Sequence, residues 1–135
     1  MAATELLRTS PFFARFDEET LERIAAPFVE IDFPAGHVLI ESRIPGAGMF
    51  VICEGTVIVE VRDFERELGA GDVVGEISLV EDDGLRRARV VAKTPLHCLA
   101  LDRAEFDRLA VDEPEVADAL RILASERLAE IDDYH

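Results

Sequence analysis

The chain predicts an α+β fold that is mainly β: an antiparallel β-roll, jelly-roll-like, flanked by an N-terminal helix and two C-terminal helices. Three observations carry this. Short apolar runs punctuated by Gly, Pro and Asp fill the stretch from Phe33 to Leu101. The apolar period changes from helical to alternating near Val29. Strong helix-start signals return only after Leu101.

Taken in order, Asp17 precedes Glu18 and Glu19, acidic residues that suit a helix start, and Leu21, Ile24, Ala25 and Phe28 then recur on one face. Val29, Ile31 and Phe33 alternate with Glu30 and Asp32, which reads as a strand. Further β-type runs fall at 37–41, 48–53, 55–62, 88–93 and 96–101, a spacing that suits an antiparallel barrel or jelly roll. Asp102 to Glu105 forms a capping box, with Phe106 and Leu109 on the buried side. A second start follows at Asp112 to Glu115, because Pro114 is tolerated in a first helical turn. Val116, Leu120, Leu123, Leu128 and Ile131 trace one stripe of a long final helix. Ala119 and Ile122 lie off that stripe, either as a second apolar patch for a partner helix or as the edge of a wide core face. No repeat, low-complexity tract or linker is visible, so residues 1–135 read as one domain.

Composition narrows the function. With 49% hydrophobic and 32% charged residues the chain reads as folded rather than disordered. The net charge of −15, from 29 acidic and 14 basic residues, opposes direct nucleic-acid binding, which needs basic patches against phosphate. It equally disfavours an anionic ligand unless arginines reverse the field locally, and Arg86, Arg87 and Arg89 are clustered. The start, Met1-Ala-Ala-Thr-Glu-Leu-Leu-Arg8, lacks a basic region and a long apolar run, so no secretory signal is read there. No run approaches the length of a membrane span. Cys53 and Cys98 each sit in apolar β-type runs and read as buried, reduced thiols. A cytoplasmic location is the expectation.

The segment Val74 to Val90 carries the chemistry. Gly75 lets the backbone approach a ligand, having no Cβ. Residues 76–80 have the composition for one helical turn, whose free N–H groups and positive dipole end attract an anion. Arg86 supplies a planar fork for two phosphate oxygens. Glu76 would repel a phosphate, so it reads as the acceptor for a neighbouring sugar hydroxyl. A small sugar phosphate is the ligand these groups suit.

On these residues the segment resembles the phosphate-binding cassette of the cyclic nucleotide-binding domain family, found in bacterial catabolite activator-type regulators and in the regulatory subunit of protein kinase A. Gly75, Glu76, Arg86 and Ala88 fall on the family pattern of Gly-Glu, short helix, variable loop, then Arg, Ser or Thr, and Ala. Three other pieces resemble the family in order: Phe33 to Leu39 as the opening strand turn, Phe50 to Val57 as an aromatic-to-glycine strand pair with Gly55 at its hairpin, and Leu68 to Asp72 as the turn into the cassette. The similarity runs from about Leu7 to the C-terminus.

The resemblance implies Glu76 on the ribose 2′-hydroxyl and Arg86 on the cyclic phosphate, with backbone amides of Ile77, Ser78 and Ala88 completing the cradle and Val74 and Leu68 at its margin. It implies a C-terminal helix that closes over the base, with Ile131 and Tyr134 as the lid residues here, although a frayed end is an equal reading of Tyr134. The expected ligand is a cyclic nucleotide, cyclic AMP ahead of cyclic GMP, with no metal. A second copy of the chain or an effector protein is expected at the C-terminal helix.

Two departures stand out. Arg87 occupies the family's Ser or Thr position, which bears on base choice, and Ser42-Arg43-Ile44 replaces a loop where Gly-Asp is common. Arg87 either grips the phosphate, stacks on the base, or pairs with Glu81, Asp82 or Asp83. As adjacent strand residues face opposite ways, Arg87 points away if Arg86 points in.

Three rivals are weaker. A metal-dependent β-barrel enzyme needs clustered histidines, whereas His37, His97 and His135 are scattered and read as surface or turn residues. No Ser/His/Asp or Cys/His grouping suggests a nucleophile, so no enzyme is expected. A transcription factor would need a helix-turn-helix, and the sequence given ends with the long helix. A domain that kept the fold and lost the ligand is the remaining alternative, with Glu76 and Arg86 paired internally to act as a structural or protein-interaction module.

Overall fold

The computed structural model describes residues 2–41, 48–61, 64–75 and 89–132, without the side chains of Phe64 and of residues 127–132. Helices α1 (Ala3–Arg8) and α2 (Glu18–Ala25) flank a 3₁₀ turn at Phe13–Arg15. Eight strands follow: β1 (Val29–Phe33), β2 (Val38–Ile40), β3 (Gly48–Glu54), β4 (Val57–Val61), β5 (Phe64–Leu68), β6 (Val73–Val74), β7 (Arg89–Ala92) and β8 (Leu96–Asp102). Helices α3 (Arg103–Asp112) and α4 (Pro114–Asp132) close the described chain. The strands make two four-stranded antiparallel sheets, ordered β1-β8-β3-β6 and β2-β7-β4-β5. This is the expected mainly-β roll.

Strands β3, β6 and β8 of the first sheet are covered on both faces, and that explains their unbroken apolar runs. Met49, Val51, Val73, Leu99 and Leu101 pack with Leu7, Phe13, Leu21, Ile24, Phe106, Val116 and Leu120 of the helical layer. From the opposite face, Ile52, Val74, Leu96 and Cys98 meet Ile40, Val57, Leu68, Val90 and Ala92 inside the roll. A strand with both faces covered loses the polar half of its alternation. Both thiols are free; Cys98 is fully buried, and burial above all pushes its pKa up to about 12.

The helix signals hold at atomic level. Asp17 accepts from the Thr20 amide at 2.9 Å and Asp102 from the Glu105 amide at 2.8 Å, each a side-chain N-cap. The Glu105 carboxylate accepts from Arg108 at 2.9 Å. On α4 the buried face is Val116, Ala117, Leu120 and Ala124, with Leu123 and Ala119 packed at its margin. Ala119 therefore belongs to a wide core face, and Ile122 alone of the off-stripe pair is exposed, at 61%.

The structure corrects the sequence reading in three places. The N-terminal side holds two helices and a 3₁₀ turn rather than one helix, because Leu6, Leu7, Phe12 and Phe13 bury against the helical core. Strand β5 was not expected: its Glu65, Arg66 and Glu67 are all exposed, the charged composition that suits an unpaired sheet edge. The strands on either side of Gly55 do not form a hairpin, since β3 pairs with β8 and β6 whereas β4 pairs with β5 and β7. The chain instead crosses there from one sheet to the other.

The crossover is where a glycine is required. Gly55 has φ +100°, and a Cβ there would lie 2.3 Å from the Pro95 carbonyl oxygen and 2.7 Å from Leu96 Cδ2. Gly36 has a similar φ of +87° but open space around its Cβ direction. The two positions share the left-handed backbone penalty and differ in packing. Gly55→Ala is expected to cost about 1–3 kcal/mol more than Gly36→Ala, the range for overpacking a closed site, measured by urea unfolding of both variants.

Candidate functional site

The segment that carries the predicted cradle is anchored at both ends, each end on a different sheet. At its entrance β6 pairs with β3 through Phe50↔Val74 and Val51↔Val73. At its exit Arg89 begins β7, which lies between β2 and β4. Val74 is buried inside the roll, and Leu68 is buried at the end of β5 opposite Val57. Gly75 follows Val74 with φ +89°, a left-handed conformation that glycine adopts at little cost. Glu76, Ile77, Ser78, Arg86, Arg87, Ala88 and Tyr134 lie outside the described residues, as do Glu81, Asp82, Asp83, the Ser42–Ile44 loop and His135. Ile131 lies on the backbone of α4, with its side chain outside the described set.

The turn into this segment is fixed by a dense set of bonds. The Asp72 carboxylate accepts from the Gly69 amide at 2.8 Å, while the Asp72 amide donates to the Gly69 carbonyl at 3.0 Å. The Gly71 amide donates to the Ile52 carbonyl at 2.7 Å, and the Ile52 amide to the Asp72 carbonyl at 2.9 Å, which ties the turn to β3. The fully buried Ser10 hydroxyl donates to the Gly71 carbonyl at 2.6 Å. Ser10 is a positioning residue that the sequence did not disclose: its partner is 61 residues away, and nothing local marks it.

Arg89 departs from the sequence reading of a free arginine cluster. It is the cross-strand neighbour of Glu60, and its guanidinium lies 3.4 Å from Glu60 and 3.3 Å from Glu41. Two carboxylates therefore neutralise it. Arg86 and Arg87, the other two arginines of the sequence cluster, fall between the anchored ends and outside the described residues. Arg66 is a further cation near the roll. It stands directly opposite Val59, on the sheet face that carries Val57 and Leu68 toward the inner core. Among the described residues no group of three or more His, Cys, Asp or Glu side chains is placed to hold a metal ion. No helix there is long and apolar enough to cross a membrane.

The model of one family, the cyclic nucleotide-binding domain, matches residues 30–113, more than half of the chain. The chain belongs to that family. The match contains Leu68, Val74, Gly75 and the whole segment to Arg89, so the resemblance read from Gly75, Glu76, Arg86 and Ala88 is borne out. A cyclic nucleotide-gated potassium channel of Rhizobium etli is 35% identical over 123 residues, covering 91% of this chain and 34% of the channel. A cGMP-dependent protein kinase of Drosophila melanogaster (isozyme 2, forms cD5/T2) is 30% identical over 122 residues, 84% of this chain and 13% of the kinase. The catabolite activator protein of Thermus thermophilus superposes with a TM-score of 0.77 at 30% identity, over 91% of this chain and 60% of that one. The chain thus spans about a third or less of these curated relatives.

The Arg89 pairs are partly solvent-exposed and screened, so their contribution is small. Arg89→Gln is expected to lower stability by no more than about 1 kcal/mol in denaturant unfolding, with the loss shrinking as salt is added.

Proposed function

We propose that residues 1–135 form a single regulatory domain that binds a cyclic nucleotide and signals through its C-terminal helix. One observation carries the reading: a left-handed Gly75 at the end of β6 opens, within the family match, the stretch holding Glu76 and Arg86. In this reading the phosphate meets the amides of Ile77, Ser78 and Ala88 and the Arg86 guanidinium, with Arg87 beside it. Glu76 accepts from the ribose hydroxyl. Ile131 and Tyr134 of the α4 end cover the base. The switch requires the ligand to bind one placement of α4 better than another, and that differential affinity is what moves the helix. A second copy or an effector protein would read the movement at α4. The two free thiols fit a reducing, cytoplasmic setting.

The ligand is taken as cyclic AMP, with adenine as its base. A second reading, cyclic GMP, has its own support in Arg66, because guanine presents two acceptors, N7 and O6, that a guanidinium fork matches. Arg66 shares the inward face of β5 with Leu68.

Calorimetry with cyclic AMP, cyclic GMP and AMP tests the proposal. Arg86→Leu should weaken cyclic nucleotide binding by at least about thirtyfold, as removal of one partner from a desolvated charge pair does. Glu76→Gln should weaken it by about tenfold, since a neutral amide still accepts from a hydroxyl. Equal affinity of Arg86→Leu and the parent would remove the assignment, and no heat with any ligand at millimolar concentration would favour an interaction module that has lost its ligand. Arg66→Ala decides the base: under the guanine reading it lowers cyclic GMP affinity by about tenfold and leaves cyclic AMP affinity unchanged, whereas under the adenine reading both stay as they were.

A further inference from the structure

Strand β1 is held in an unusual way. Among the described residues it is the outermost strand of the first sheet and pairs only with β8. Four of its five residues are exposed, including Val29 at 63% and Ile31 at 37%, so little apolar burial secures it. On the other side of the strand, both carboxylates reach one ring. His97 Nδ1 lies 2.6 Å from Asp32 Oδ1, and His97 Nε2 lies 3.0 Å from Glu30 Oε1. Ionised carboxylates only accept, and a neutral imidazole carries a single N–H, so both contacts are satisfied together only by the protonated ring.

We propose that His97 is a proton-operated clasp for β1, which keeps the edge strand on β8 while the ring is an imidazolium and loosens it when one proton leaves. The groups that contact the ring are Glu30 and Asp32 of β1; on β3 its register partner is Glu54, next in sequence to Cys53. Once the ring is neutral these carboxylates repel one another with no cation between them. Hydrogen bonding to Asp32, then to Glu30, raises the His97 pKa above its ordinary 6.5, against a smaller opposing effect of burial. The folded state thus binds the proton more tightly than the unfolded chain. Its stabilising contribution is complete below pH 6.5 and disappears as pH rises through the raised value. Phe28, which leads into β1, is buried in the helical core, so loosening the strand also weakens the seat of α2. The clasp uses none of the residues assigned to the nucleotide and stands whether or not a ligand binds.

The test is a histidine titration by NMR with amide protection factors for β1 at about pH 5.5 and about pH 8.5. His97 is expected to titrate above 6.5, and protection of β1 is expected to fall by about two- to fivefold across that range, the size that exposed charge pairs support. Protection of β3 should hold. His97→Gln should abolish the pH dependence of β1, and Asp32→Asn should lower the His97 titration point. Titration at or below 6.5, a pH dependence that persists in His97→Gln, or an equal loss of protection in β3 would each overturn the proposal.

Discussion

Burial of β3 and β8 on both faces is the constraint from which the rest of the molecule follows. β3 and β8 send Met49, Val51, Leu99 and Leu101 into the helical layer, and Ile52, Leu96 and Cys98 into the roll. Two cores thereby share one pair of strands. Neither core can shift without the other, because interiors at crystal-like density tolerate little displacement. β6 hangs from β3 by two register pairs, and so the entrance to the candidate cradle inherits the rigidity of that sheet. The exit belongs to the other sheet through β7. A segment held in this way has fixed ends, which is what positioning a small anion requires.

The parts of the fold that announced themselves in the sequence were those where local chemistry and burial agree. Asp17 and Asp102 cap helices because a carboxylate beside free amides is favourable wherever it occurs, and both caps are present. The apolar runs of β3 and β8 read as strands because both of their faces are covered. The misses have equally physical causes. β5 is charged along its length, so no apolar period marks it, and only its pairing with β4 makes it a strand. The turn at Gly55 looks like a hairpin locally, and its role as a crossover depends on partners distant in sequence. For the site, Gly75 and the family to which its segment belongs were legible by type and spacing. The partners of Arg89 were not: Glu41 and Glu60 are 48 and 29 residues away, and only the folded sheet brings them to it.

Electrostatics works against an anionic ligand over most of this molecule. A body carrying −15 repels anions at long range, and the pairing of Arg89 removes one of the few local counterweights. An anion taken up by such a body has to be recognised at short range, where directional contacts outweigh the general field.

The bond from Ser10 to the Gly71 carbonyl gives the first residues a place in the architecture of the site. The family match begins at residue 30, yet the hydroxyl that pins the approach to Gly75, and the Phe13 ring that covers the outer side of the first sheet, both precede it. The working unit is therefore larger than the shared family core. A fragment cut at the family boundary would bare the apolar back of the first sheet and leave the loop before the cradle without its buried tether.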